Sequence, residues 1–265
     1  MKEKPFYFPF NDYVKLFEHM TGCRIKPEKD LIEKRLERFL KKYNIQPDNI
    51  FLAEKLIKSN SECFNSFIDI FIPVESFFFR EEDYLNLAIT IAQKEKLKDI
   101  LVAPCANGET VYSLKIMAME KKIENLTLTG IDISKIAVEK AATGIYNKHS
   151  VKNIPLKIIN KYFKIKEGKY KIKDTIKSRI KFQAGNLANL STSGKYDIIL
   201  CRNFLMYLKE ETIELILKNL CNMLKRKGFL ILGKSELPFI KHSPGFIKES
   251  YNNLLYFRKL SWQNC

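Results

Sequence analysis

Four short strings hold the side chains of this sequence that could act together on a ligand: Pro104-Cys-Ala-Asn-Gly-Glu109, Asp132, Asn186-Leu187 and Arg202-Asn203. Each follows a short apolar run, and in an open parallel sheet ligands bind outside the carboxyl ends of the strands. Asp132 is the most informative. An acidic residue about twenty positions beyond a glycine turn, at the end of a second strand, can accept bonds from two ribose hydroxyls. An aspartate in that place is also a common turn residue. Gly108 would let the backbone approach a ligand closely. No Gly-x-Gly-x-x-Gly occurs, so a dinucleotide pyrophosphate has no cradle, which favours an adenosyl ligand without phosphates over NAD. A fifth string, Pro73-Val-Glu-Ser-Phe-Phe-Phe-Arg-Glu81, admits two readings. It is a hydrophobic plug between two regions with Arg80 in a structural salt bridge, or Arg80 holds a carboxylate of substrate or cofactor through its planar fork.

The elements that must position these residues alternate from about residue 99. Apolar runs predict strands at 99–103, 126–131, 179–183, 196–201, 228–232 and 253–257, with helices following Gly108 and over 133–142 and 210–224. This pattern predicts an α/β fold, a mainly parallel Rossmann-like sheet with helices on both faces. A lysine-rich stretch at about 147–178 interrupts it. There, Tyr162-Phe-Lys-Ile165 and Tyr170-Lys-Ile172 flank Gly168, which predicts a small β-hairpin insert. The insert supplies no strand-end residue and is expected to be dispensable for cofactor binding. Residues 1–72 read as a small all-helical domain, 73–98 as a linker with a helix, and 99–265 as the catalytic-type domain. In the clearest N-terminal helix, near Pro27-Glu28-Lys29-Asp30, Leu31, Ile32, Leu36, Phe39 and Leu40 form one stripe. Lys34, Arg35, Arg38, Lys41 and Lys42 lie largely off it. That basic face is either simply solvated or drawn to an acidic partner.

The chain has 265 residues, 46% of them hydrophobic and 29% charged, which is ordinary globular composition. No apolar run approaches the roughly 18–20 residues of a membrane span, so no membrane insertion is expected. The first residues lack the apolar core of a signal peptide, which places the protein in the cytoplasm. Six scattered cysteines without a Cys-x-x-Cys pair, and three histidines, argue against a metal site. The net charge of +16 draws the chain to acidic partners without choosing among nucleic acid, membrane and protein.

Taken in order, these strings resemble the chemotaxis receptor methyltransferase family, CheR. The family's Asn-Glu-Thr-x-Phe-Phe-Arg is similar to Val74-Glu-Ser-Phe-Phe-Phe-Arg80, and its Gly-Glu-Glu-Pro-Tyr-Ser to Gly108-Glu-Thr-Val-Tyr-Ser113. Asp-Ile-Asp with a downstream Gly-Ile-Tyr is similar to Asp132-Ile-Ser134 and Gly144-Ile-Tyr146. Cys-Arg-Asn followed by a tyrosine is similar to Cys201-Arg-Asn203 and Tyr207, and Gly-His-Ser-Glu to Gly233-Lys-Ser-Glu236. The resemblance implies an S-adenosylmethionine-dependent methyltransferase that esterifies glutamate side chains of methyl-accepting chemoreceptors. It implies that Ser76, Arg80, Asp132, Asn186, Leu187, Arg202 and Asn203 contact the cofactor, and that Arg80 and Tyr207 face the reacting centre. Departures from the pattern include Val74 for the family asparagine, Ala106-Asn107 for the serine-threonine before the glycine, and Thr110 for the second glutamate, a cofactor contact, for which it substitutes a hydroxyl.

The implied acceptor is the glutamate-rich coiled coil of the receptors, along which the basic helix with Lys34, Arg35, Arg38, Lys41 and Lys42 could track. The protein would then be recruited to membrane receptor arrays. A glutamate carboxylate is already ionised at neutral pH, its reference pKa being about 4.3, so no general base is required. S-adenosylhomocysteine would be the product. One rival is a non-catalytic S-adenosylmethionine-binding signalling module, motivated by Val74 and Thr110. A nucleic-acid methyltransferase is the other, since Pro104-Cys105 resembles a Pro-Cys nucleophile. Those enzymes place that motif after the fourth strand, where Cys201-Arg-Asn203 stands instead, and no nucleic-acid partner is expected.

Overall fold

The computed structural model describes residues 8–24, 29–72, 76–190, 194–240 and 245–260. Pro27, Glu28, Val74 and Glu75, which figured in the motifs above, lie outside them. The chain divides into two compact units, residues 1–73 with Tyr207–Lys209, and residues 74–206 with 210–265.

The first unit is helical: α1 (Phe10–Thr21), α2 (Lys29–Lys42), α3 (Ile50–Ser59) and α4 (Ser61–Phe71). Local chemistry sets their ends. Gly22, at φ 75°, closes α1, and the Asn49 and Asn60 side chains accept backbone N–H groups at the starts of α3 and α4. An aromatic cluster fills the core, with Phe17 and Phe71 ring centroids 4.7 Å apart and Phe39 and Phe67 5.5 Å apart. α2 buries Ile32, Leu36, Phe39 and Leu40 as its period requires. Leu31 departs from the expected stripe and is 48% exposed. It lies one position before Ile32, about 100° around the helix from that buried row. Tyr207–Lys209 belong to this unit through an isolated bridge of Cys23 with Leu208, flanked by hydrogen bonds from Arg24 N–H to the Tyr207 carbonyl and from Lys209 N–H to the Gly22 carbonyl.

The second unit begins with α5 (Glu82–Lys94) and then alternates: β1 (Asp99–Val102), α6 (Glu109–Glu120), β2 (Thr127–Asp132) and α7 (Lys135–Thr143). A small segment follows, with β3 (Ile145–Tyr146), α8 (Leu156–Tyr162), β4 (Phe163–Lys166) and β5 (Lys169–Ile172). The main sheet resumes with β6 (Ile180–Ala184), β7 (Tyr196–Cys201), α9 (Glu210–Met223), β8 (Leu224–Leu232), β9 (Phe246–Tyr251) and β10 (Leu254–Lys259).

The seven-stranded order is β6-β2-β1-β7-β8-β10-β9. β6, β2, β1, β7 and β8 are parallel, and β10 runs antiparallel to both β8 and β9. The strand order reverses between β1 and β7, the place where an open sheet opens a crevice for ligands. Near-continuous apolar strands such as Ile198-Ile199-Leu200 are buried, as expected of a sheet covered on both faces. Among the described residues no helix is long and apolar enough to cross a membrane.

The insert forms a separate sheet of order β3-β5-β4. Its hairpin turns at Glu167 and Gly168, both at positive φ (50° and 68°), as a tight two-residue loop requires. β3, not expected from the sequence, adds the Gly144-Ile-Tyr146 string to this sheet through the Tyr146–Tyr170 register.

Candidate functional site

Three strand ends are tied together by hydrogen bonds of Asp132. Its side chain accepts the Ala106 N–H at 2.8 Å and the Ser134 N–H at 3.0 Å, and its carbonyl accepts the Gly185 N–H at 2.8 Å. The loops after β1, β2 and β6 are thereby drawn to one point, and the carboxylate is 6% exposed. Ala106 and Gly108 both sit at positive φ, 47° and 87°. A Cβ on Gly108 would stand 2.8 Å from Ala141 Cβ and 3.0 Å from the Phe182 ring. Glycine is thus required at 108 by the packing of α6 against α7 and β6, a reason different from ligand approach. Asn186 and Leu187 form the turn after β6. The Asn186 side chain accepts the Ala188 N–H at 2.9 Å, and Asn219 donates to the Leu187 carbonyl at 2.9 Å.

On the other side of the switch point, the end of β7 grips the linker. Arg202, 8% exposed, donates to the carbonyls of Arg80 (3.1 Å) and Glu81 (3.2 Å) and lies 3.4 Å from the Glu81 carboxylate. Burial pulls its pKa below the ordinary value, with the Glu81 charge opposing. The Arg202 guanidinium is therefore committed to the linker, which leaves its main chain at the strand end. Asn203 donates to Glu81 Oε2 at 3.0 Å and accepts from Arg80 Nη2 at 3.1 Å. Among the described residues Arg80 makes no ion pair, while Glu81 beside it is matched to Arg202. Phe79, Glu81 and Asn203 hold φ of 58°, 50° and 56°. Non-glycine residues in that region cost about 1–3 kcal/mol each and cluster where function demands a fixed geometry.

The phenylalanine string anchors this linker inside the second unit. Phe78 is fully buried, edge-on to Tyr146 (4.8 Å) and Phe163 (5.2 Å). The Phe79 N–H donates to Ser113 Oγ, whose hydroxyl donates to the Glu109 carbonyl. Phe77 stays half-exposed, with the Lys152 ammonium 4.5 Å and the Arg80 guanidinium 5.9 Å from its ring. Phe78 plugs the second unit's own core, and Arg80 is left without a salt bridge among the described residues, unlike the reading of a plug between two regions with a structural Arg80 salt bridge.

Two fully buried carboxylates escaped sequence reasoning. Glu236 accepts the Phe204 N–H at 2.9 Å and the Ser235 hydroxyl at 3.1 Å, which fixes the loop carrying Asn203. Glu109 accepts the Ser150 hydroxyl at 3.2 Å, and its other oxygen has no hydrogen-bond partner. Burial raises its pKa, while its own helix backbone, the Ser150 hydroxyl and the Lys140 charge pull it back. Because the Phe78 N–H also donates to the Ser150 carbonyl, residue 150 of the insert supports the linker. The insert is thus structurally joined to the linker that carries Arg80. The Glu236 signal was present in Gly233-Lys-Ser-Glu236. A Cβ on Gly233 would come within 2.4 Å of Glu236 Oε2, so a side chain at 233 would push that carboxylate out of place.

Cys105 is 2% exposed, and burial first, then the Asp132 charge, pushes its thiol well above the ordinary value. It is not poised as a thiolate nucleophile. Ser76 and Thr110 are half-buried within the same unit, and the exposed Tyr207 belongs to the other. Among the described residues no group of three His, Cys, Asp or Glu could hold a metal ion.

Residues 75–252 match the family profile described as CheR methyltransferase, SAM binding domain. The chain belongs to the CheR methyltransferase family. It is 30% identical over 240 residues to the chemotaxis protein methyltransferase of Campylobacter jejuni subsp. jejuni, covering 89% of this chain and 91% of that protein. It is 29% identical to chemotaxis protein methyltransferase 2 of Vibrio cholerae, covering 86% and 83%. Among solved structures it is similar to the N-methyltransferase NodS of Bradyrhizobium japonicum in complex with S-adenosyl-L-homocysteine, at TM-score 0.45 and 14% identity, over 78% of this chain and 96% of that one.

The CheR chain is an S-adenosylmethionine-dependent methyltransferase, and its strand-end residues fit that cofactor chemically. The ribose diol needs an acceptor, the methionine carboxylate needs a cation, and the molecule has no pyrophosphate to cradle. The second unit carries one buried carboxylate at a strand end, Asp132, and in Arg80 one cation without an ion pair among the described residues.

Proposed function

We propose that this chain transfers the methyl group of S-adenosylmethionine to glutamate carboxylates of chemoreceptors, forming methyl esters in chemotaxis signalling. The observation that carries the reading is Arg80, a half-buried cation aimed by Asn203 at 3.1 Å and without an ion pair among the described residues. Such a group is suited to orienting a carboxylate through its planar fork. The bound cofactor supplies a methyl group on a positively charged sulfur, which leaves as the neutral thioether S-adenosylhomocysteine.

This chain's residues then have a positioning task. Asp132 holds the ribose, the turn at Asn186-Leu187 borders the adenine, and Ser76, Gly108 and Thr110 line the remaining edge. The main chain at Arg202-Asn203 closes the strand end. Arg80 orients the carboxylate and Tyr207 hydrogen-bonds the acceptor. A carboxylate oxygen forms the new O–CH3 bond as the S–CH3 bond breaks, and no proton moves. Alignment of the three atoms is the main catalytic demand. We place the acceptor on the acidic coiled coil of membrane receptors reached from the cytoplasm, with Lys34, Arg35, Arg38, Lys41 and Lys42 as contacts.

Incubation with methyl-labelled S-adenosylmethionine and receptor-containing membranes is expected to give base-labile label on protein. Base-stable label, label on nucleic acid, or cofactor binding without any transfer would overturn the reading.

A further inference from the structure

The outward face of the small sheet carries a grid of like charges. In the register of β4 and β5, Lys164 stands opposite Lys171 and Lys166 opposite Lys169. Ile145 of β3 stands opposite Lys171 on its other side. Cross-strand partners share a face. The alternate set, Phe163, Ile172, Tyr146 and Tyr170, packs into or against the insert's core. All four lysines are exposed, and Ile145 is 40% exposed. Among the described residues their one ion pair is Lys166 with Glu167 at 3.6 Å, both more than four-fifths exposed. Strand spacing and rise put the four stems within a patch of roughly 5 Å by 7 Å.

Like charges directly opposite each other destabilise a sheet. Two successive Lys–Lys pairs therefore make the face costly alone and favourable against a counter-charge. Arginine is absent from the grid. Lysine is a compact, strongly hydrated point charge, which meets phosphate as a point charge and not through a bidentate fork. A flat cluster of four lysines with one exposed isoleucine at its edge, beside Lys171, fits an anionic lipid surface, where basic clusters bind headgroups and a small apolar group enters the boundary. We propose that the Lys164–Lys166–Lys169–Lys171 face docks the methyltransferase on the anionic surface of a lipid bilayer. The face contributes none of the strand-end residues, and the proposal does not depend on which carboxylate is methylated.

Cosedimentation with vesicles tests it. The wild-type chain is expected to bind vesicles of mixed phosphatidylglycerol and phosphatidylcholine, to ignore pure phosphatidylcholine, and to be released by added salt. The double variant Lys164→Gln/Lys171→Gln is expected to lose on the order of tenfold in partitioning onto the anionic vesicles. Its S-adenosylmethionine affinity should be unchanged and its Tm equal or higher, since a repulsion has been removed. Lys166→Gln/Lys169→Gln provides a second version should the first fail to fold. The proposal falls if the folded variants bind anionic vesicles like the wild type, or if the wild type does not bind them. It also falls if the variants keep vesicle binding and lose instead a glutamate-rich coiled-coil peptide, which would assign the face to an acidic protein.

Discussion

Asp132 could be picked out from the sequence because a charged residue that follows an apolar run falls at a strand end, and Arg80 because it follows three phenylalanines in the linker. Glu109 and Glu236 stood within the motif strings, but nothing local to them showed that their carboxylates would be fully buried. Replacing Asp132 by alanine removes acceptors for two backbone amides and, on the proposed role, for the ribose. Cofactor affinity measured by calorimetry should fall by about 1–3 kcal/mol. Arg80→Ala should lower transfer by roughly a hundredfold, the scale of losing alignment, with the Tm near wild type because Phe78 still anchors the linker. Arg80→Lys should rescue poorly for want of a planar fork. Near-normal turnover in both would make Arg80 structural. Glu109 gives a pH test. Its folded pKa is raised by burial, so the unfolded chain ionises first, and this residue's contribution to stability declines as pH rises from the ordinary carboxylate range through the raised value. Glu109→Gln should flatten that decline in Tm against pH. An unchanged profile would show that Glu109 does not titrate differently on folding.

At the scale of elements, the parallel strands were legible because they are short apolar runs between turn residues. β9 was not: Phe246-Ile247-Lys248-Glu249-Ser250-Tyr251 neither alternates nor forms a continuous apolar run, and it becomes a strand through its pairing with β10. β3 has only two residues and exists through its partner β5. The end of the sheet opposite the candidate site is held by Asp197, which accepts the N–H groups of Asp99 (2.9 Å) and Lys98 (3.0 Å) and lies 3.0 Å from Lys225 Nζ. Burial alone would raise its pKa, but these partners outweigh burial and lower it. A lowered folded pKa gives stability that is present above the unfolded value and lost as pH falls through the folded one. Asp197→Ala should cost about 1–3 kcal/mol near neutral pH and less in acid. Equal loss at both would show that packing rather than charge is at stake. The insert touches the linker through the Ser150 carbonyl, which accepts the Phe78 N–H, and through Phe163, edge-on to Phe78.

For the whole molecule, the charge of +16 was plain from the sequence, but which lysines are committed was not. On α2 the structure separates them. Arg35 donates to the Ile70 carbonyl at 3.3 Å, and Lys42 pairs with Glu62 at 3.0 Å. Lys34, Arg38 and Lys41 are exposed and have no partner among the described residues. Their spacing of i, i+4, i+7 places them on one face of the helix. Reversing Arg35 would also disturb the end of α4, so the informative variant is Arg38→Glu/Lys41→Glu. If this face tracks an acidic receptor helix, each contact is a surface ion pair worth up to about 1 kcal/mol, and together they chiefly raise the encounter rate. The double reversal should slow receptor methylation strongly at low ionic strength while leaving the Tm and S-adenosylmethionine affinity as they were. Adding salt to the wild type should reproduce the defect, and the variant should respond to salt weakly or in the opposite direction, because its own contacts have become repulsive. Receptor methylation by the variant at the wild-type rate in low salt would show that this face is merely solvated and that the acidic partner is met elsewhere on the chain.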